Sequence, residues 1–191
     1  KEYKRAKYIS RVFQDPLLGT AANMNIEENL ALAARRGMRR GLKWGIKKGE
    51  LEEYKKMLAG LELGLENRTG QKVGTLSGGQ RQALTLLMVT IRKPKLLLLD
   101  EHTAALDPKT AKKVLDLTEK IVDEQGLTTI MITHNMNDAI LYGNRLVMMD
   151  AGRIIFDISG EEKKNLTIND LLMKFETITG EEITSDKMIL G

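Results

Sequence analysis

The sequence of 191 residues holds no cysteine and only two histidines. Without cysteine there are no disulfides and no thiolate zinc sites, and two imidazoles are too few for a histidine-rich metal cluster. That pattern suits a reducing cytosol. Long apolar runs are missing as well. The short run Leu96 to Leu99 falls far below the roughly 20 apolar residues that a membrane span needs. Any membrane role then has to come through a partner. No secretory signal is legible, because the opening KEYKRAKYIS carries basic residues without a following apolar core or small-residue cleavage site. The chain opens on Lys1 and not on methionine, which places the expected start of the protein upstream.

What is present is ordinary for one or two small globular domains: 42% hydrophobic and 29% charged residues, enough to bury a core, so disorder is not the expected main state. The net charge of +4 is mildly basic, a balance that fits nucleic acid, anionic lipid or nothing specific. Charge therefore does not decide function.

The apolar pattern places a strand over Tyr8 to Gln14, ending at Asp15-Pro16, and a helix over Ile26 to Arg36. Between Gly37 and Gly49 the sequence GMRRGLKWGIKKG sets glycine at every fourth position among Lys and Arg. It reads as a weak helix or loop with a solvated basic face, since each interior glycine costs about 1 kcal/mol of helix stability. Its alternative is contact with lipid headgroups or nucleic acid, although a lone Trp44 is no stacking platform for single strands. Helical character resumes over Glu50 to Leu63, and again over Gly79 to Arg92 after a looser stretch. Leu96 to Leu99 reads as a strand buried on both faces, as in a parallel sheet. Beyond it, a helix over Pro108 to Gln125, a strand over Leu127 to Thr133, a short helix over Met136 to Leu141 and a hairpin of Arg145 to Met149 with Arg153 to Ile158 complete an alternating α/β pattern. In such sheets the active-site loops sit at the carboxyl ends of the strands.

Asp100 and Glu101 follow directly on the apolar strand, which delivers two carboxylates to one rigid position. In a phosphoryl-transfer site the first holds Mg²⁺ and the second polarises an attacking water. The pair taken alone also fits a solvated strand end or a helix cap. Ser77-Gly78-Gly79 precedes a helix, so a hydroxyl and exposed amides form an anion-receiving nest at a helix N-terminus. The competing reading is a serine N-cap with flexible glycines; the two are compatible, because both use the same unsatisfied amides. His134 ends the strand LTTIMIT, at the expected carboxyl edge, where an imidazole can reach a γ-phosphate.

Together these residues resemble the ATP-binding family of ABC transporters. Leu76 to Gln80 (LSGGQ) resembles the signature motif, Leu96 to Glu101 resembles Walker B with its glutamate, Ala105-Leu106-Asp107 resembles the D-loop, and His134 matches the switch histidine. Val12 to Asp15 resembles the Q-loop, and Ile26 to Leu30 the segment that commonly follows it. The order is the family's, with 20 residues from Gln80 to Asp100 and 34 from Asp100 to His134.

The resemblance implies an α/β fold with a P-loop NTPase (RecA-like) parallel-sheet core and an inserted, mostly helical signature subdomain. Its expected parts are residues 1–25 with the Q-loop, 26–93 as the signature subdomain, 94–160 as core, and 161–191 as a helical tail. It implies ATP as the nucleotide and Mg²⁺ held by Asp100 and Gln14. Glu101 would act on the lytic water and His134 on the γ-phosphate. Ser77, Gly78, Gly79 and Gln80 would bind the nucleotide of the opposite subunit, with Asp107 signalling across that interface. The implied partners are a second ATPase subunit in a homodimer, transmembrane permease subunits and an extracytoplasmic solute-binding protein. The implied place is the cytoplasmic face of the membrane, and no nucleic acid is expected.

The sequence departs from the family in two places. No G-x-x-x-x-G-K-[ST] occurs in it, so the P-loop strand and helix that cradle the phosphates are expected on material upstream, and the chain alone is expected to be inactive. His102 stands where many relatives have proline; it is read as a subfamily mark and not as a metal ligand. The run DEHTAALDP with MITHNM resembles a subset of bacterial importer ATPases, some linked to amino-acid uptake. The competing implication is a soluble ABC ATPase acting on nucleic acid or ribosomes, for which only the basic stretch Arg35 to Lys48 speaks. A third is a remnant whose apolar sheet edges, such as Leu96 to Leu99, lie exposed.

Overall fold

The computed structural model describes residues 2–38 and 45–179. Residues 39–44 of the basic glycine-spaced stretch, including Trp44, and the tail beyond Thr179 lie outside the described residues. The chain divides into two compact units, 1–132 and 133–191.

The first unit begins with a single helical turn, α1 (Glu2–Arg5), and strand β1 (Ile9–Val12). Three helices follow: α2 (Ile26–Ala34), α3 (Lys48–Ala59) and α4 (Gly78–Thr90). Then come β2 (Leu96–Asp100), α5 (Pro108–Gln125) and β3 (Thr129–Ile132). The three strands form one parallel sheet in the order β1-β2-β3. Ile9 to Val12 align with Leu96 to Leu99, and Leu97 to Asp100 align with Thr129 to Ile132.

Side chains alternate across a strand, and the sheet is covered unevenly. Val12, Leu97 and Leu99 bury against Leu86 and Val89 of α4 and Ile121 of α5. On the other face Leu96 and Leu98 are only half-buried, and Ile130 and Ile132 are 53% and 56% exposed. This corrects the expectation that Leu96 to Leu99 is buried on both faces, because α4 and α5 pack on one side alone. It also corrects the expectation that this run forms an exposed edge: β2 is the middle strand and has a partner on each side.

The helical stretch closes a core of its own around Ile26, Leu30, Leu58, Leu65, Leu84 and Leu87. Its helix ends are satisfied locally, as unpaired backbone groups require. The Asn25 backbone N–H donates to Glu28 Oε2 at 2.7 Å, and the Lys47 N–H to Glu50 Oε2 at 2.9 Å. Arg35 then bridges α2 to α3 through Nη2, which reaches both oxygens of Glu50 at 3.1 and 2.8 Å, a charge-assisted contact.

The second unit holds α6 (Met136–Leu141), the antiparallel pair β4 (Arg145–Asp150) and β5 (Arg153–Ser159), and helices α7 (Gly160–Lys164) and α8 (Ile168–Thr179). Ala151 and Gly152 both have positive φ, 44° and 77°. That is the backbone which a tight two-residue hairpin demands. Its core gathers Met136, Leu146, Ile158 and Leu171.

Candidate functional site

At the N-terminus of α4 the structure confirms the physical basis of the serine reading. Ser77 Oγ accepts the Gln80 backbone N–H at 3.3 Å, and Gln80 Oε1 accepts the Ser77 N–H at 3.2 Å. This reciprocal cap makes Gln80 a fixture of the helix start. Ser77 and Gly78 are exposed, whereas Gly79 is buried.

The two glycines are small for a reason the sequence did not show. A Cβ at Gly79 would stand 2.2 Å from Thr110 Cγ2, and one at Gly78 would stand 3.2 Å from Leu106 Cδ2. At Gly79 any Cβ forces Thr110 to shift, and at Gly78 the end of Leu106 has to give by a few tenths of an ångström. The Ala105-Leu106-Asp107 turn therefore runs directly over the glycine pair of the same chain. Asp107 caps α5 through the Thr110 N–H at 3.1 Å. The Thr110 hydroxyl, and then that backbone bond, hold its carboxyl below the ordinary range.

Asp100 ends β2, and its carboxylate is engaged by the guanidinium of Arg11 on β1. Arg11 also lies over the Phe13 ring at 4.8 Å. The sequence reading missed Arg11, because its approach to Asp100 depends on β1 lying beside β2 in register. Gln14 follows Phe13 as an exposed residue. The Phe13 carbonyl accepts Gln82 Nε2–H of α4 at 3.4 Å, which links the signature helix to the residue beside Gln14. Gln82 is fully buried and was likewise missed.

Glu101 has φ 43°, a left-handed conformation that costs a non-glycine residue about 1–2 kcal/mol. Its N–H donates to Ile132 O and its carbonyl accepts the Ala104 N–H, both at 3.0 Å. His102 beside it is only 2% exposed. Its Nε2 lies 3.2 Å from Thr118 Oγ1 of α5, and burial pushes the imidazole down to about 4, so the ring is neutral near pH 7.

The loop after Gln14 is tied down by Asn29, another residue whose role the sequence left unstated. Asn29 Oδ1 accepts the Ala21 N–H at 2.8 Å, and its Nδ2 donates to Asn25 O at 2.9 Å. Gly19 packs so close to Thr85 that a Cβ there would lie 2.5 Å from Thr85 Cγ2.

Gln14, Ser77, Gly78, Gly79, Gln80, Asp100, Glu101 and Asp107 all belong to the first unit. His134 belongs to the second unit. There it is exposed and draws the Asp138 carboxyl downward against the stronger upward push of burial. The donor set assigned to a metal, the Asp100 carboxylate with the Gln14 amide oxygen, is hard and small. It fits Mg²⁺, which keeps several waters and takes phosphate oxygens instead of a full protein cage.

A three-stranded parallel sheet with helices packed on it is an α/β core of the P-loop NTPase type. The ABC transporter family model matches residues 1–104. The tyrosine transport ATP-binding protein of Clostridioides difficile (strain R20291) is 49% identical over 175 residues, covering 92% of this chain and 69% of that protein. The methionine import ATP-binding protein MetN 1 of Oceanobacillus iheyensis is 33% identical over 174 residues, covering 87% of this chain and 48% of that protein. The dimeric post-hydrolysis structure of the ATP-binding cassette MJ0796, bound to ADP and Pi, matches with a TM-score of 0.63 at 28% identity, covering 83% of this chain and 65% of that one. The chain belongs to the ATP-binding family of ABC transporters, whose members are ATPases coupled to transport. No helix among the described residues is long and apolar enough to cross a membrane.

Proposed function

We propose that this chain supplies the signature and Walker B part of the ATP-hydrolysing subunit of a bacterial amino-acid importer, a peripheral subunit at the cytoplasmic face of the membrane. Its partners are transmembrane permease subunits, a second copy of the ATPase and an extracytoplasmic solute-binding protein. Asp100 and Gln14 hold Mg²⁺, which when bound neutralises charge on the phosphates. Glu101 polarises the attacking water, and His134 contacts the γ-phosphate. Ser77, Gly78, Gly79 and Gln80 receive the nucleotide held by the opposite subunit, and Asp107 reports across the interface. The amino-acid assignment rests on relatives named for tyrosine transport and methionine import.

The observation that carries this reading is the contact of the Leu106 to Thr110 segment with Gly78 and Gly79. It joins the anion-receiving helix start to the turn that leaves Glu101. A nucleotide bound at one then bears mechanically on the other.

The test is turnover in the assembled transporter. Glu101→Gln is expected to lower kcat by about 10²- to 10⁴-fold, the range for loss of a general base. Turnover within twofold of wild type would overturn the assignment. Tyrosine uptake by cells should fall with the same substitution; unchanged uptake of tyrosine and methionine would remove the amino-acid assignment while leaving the ATPase reading intact. Because the sequence contains no G-x-x-x-x-G-K-[ST], the 191-residue chain by itself is expected not to hydrolyse ATP. Mg²⁺-dependent hydrolysis by that chain, abolished by Glu101→Gln, would contradict this.

A further inference from the structure

We propose that His102 and Thr118 form a positioning clamp that sets the direction of the Glu101 carboxylate. The proposal rests on the reading of Glu101 as the residue that polarises water.

The clamp follows from a proton count. Thr118 Oγ1 lies 2.7 Å from Val114 O, and a carbonyl can only accept, so the hydroxyl proton is used there. The same oxygen therefore accepts from His102 at 3.2 Å, which assigns the donor as Nε2–H and fixes the ring in one tautomer. Both partners are buried, at 2% and 5% exposure. Water does not replace this bond when it breaks, and a buried group left unpaired is costly.

What the clamp holds is a strained residue. Glu101 keeps φ at 43°, and strain of this kind persists only where its surroundings over-determine it. Among its restraints are two main-chain bonds, Glu101 N–H to Ile132 O and Ala104 N–H to Glu101 O. Another is the His102 side chain, which pins the next residue along to the middle of α5. With Asp107 capping the start of α5, the segment from Glu101 to Asp107 is held to one helix at both ends. Release of His102 lets φ of Glu101 relax to negative values, which changes the direction in which its side chain leaves the backbone. His102 touches no reacting atom in this scheme and acts through Glu101.

Hydrogen exchange in the full chain reads the clamp directly, through the Glu101 amide. Thr118→Val keeps shape and removes the acceptor. It should speed exchange at Glu101 by about fivefold, the equivalent of one net hydrogen bond, while Leu97 and Leu99 amides stay within twofold. His102→Ala should do at least as much, and His102→Gln, which keeps a donor near the Nε2 position, should restore slow exchange. In the assembled transporter Thr118→Val should lower kcat by about fivefold with KM for ATP within twofold. Unchanged Glu101 exchange in both Thr118→Val and His102→Ala would overturn the clamp. So would acceleration shared equally by Leu97 and Leu99, which marks general loosening. Should the exchange results come out as expected while Glu101→Gln leaves turnover intact, the clamp stands and the catalytic reading of Glu101 falls.

Discussion

The helical core of the first unit leaves Leu30, Leu58, Leu65 and Leu84 without solvent contact, whereas the sheet core beside it covers Val12, Leu97 and Leu99 on one face and leaves Ile130 and Ile132 in the open. The two regions also divide the chemistry. The helical part contributes a capped helix start whose geometry is fixed by packing. The sheet part contributes charged groups, Arg11, Asp100 and Glu101, at or beside the partly covered face. An anion receptor needs rigid amides, and a water-polarising carboxylate needs an approach path. The difference in closure matches the difference in the tasks proposed for the two regions.

That comparison breaks most visibly in the strands. Leu99→Ala should cost about 2–5 kcal/mol in denaturant unfolding, as for other buried leucines, and Leu65→Ala in the helical core should match it. Leu98→Ala, on the half-covered face, should cost under about 1.5 kcal/mol, in line with its smaller buried area. Equal losses at positions 98 and 99 would refute the one-sided cover.

A smaller effect tests the joint between the two regions. Gly79→Ala drives a methyl into Thr110 and should destabilise by about 1–3 kcal/mol, as overpacking does. Adding Thr110→Ser, which removes the obstructing Cγ2, should recover most of that loss. No recovery in the double variant would mean that the glycine serves another purpose.

The smallest effect lies on the outer surface of the helical part. The Lys47 backbone N–H, and then Arg35, hold the Glu50 carboxyl below its ordinary value. A carboxylate with a lowered folded pKa adds stability that is fully present above the unfolded value of 4.5 and is lost as pH falls through the folded value. Glu50→Gln should therefore cost under about 1 kcal/mol at neutral pH, with the gap to wild type closing in acid. A gap that widens in acid would contradict the assignment.

Much of this was legible from residue pattern alone. Strand, helix and turn positions follow from periodicity and from capping residues such as Ser77 and Asp107, because these are local properties. Helix α6 and the hairpin at Asp150 to Gly152 needed nothing beyond their own sequence. What stayed hidden depends on contacts between distant segments. Four leucines in a row say that a strand is apolar, but only the placement of α4 and α5 decides which two are buried. Likewise His102 reads as a variant beside Glu101 until α5 brings Thr118 to it. The pairing of Arg11 with Asp100 depends on strand order, which no single segment carries.

Helix α4 belongs to both cores at once: Leu84 and Leu87 face the helical side, and Leu86 and Val89 face the sheet. Its 13 residues span about 20 Å at 1.5 Å per residue. A beam gripped along its length cannot bend at the middle without opening one core or the other, so it transmits tilt as a lever. A rotation of about 10° at the Val89 end sweeps Ser77 through about 3 Å on that arm. Small adjustments at the sheet end of the helix are thereby magnified at the Ser77 tip.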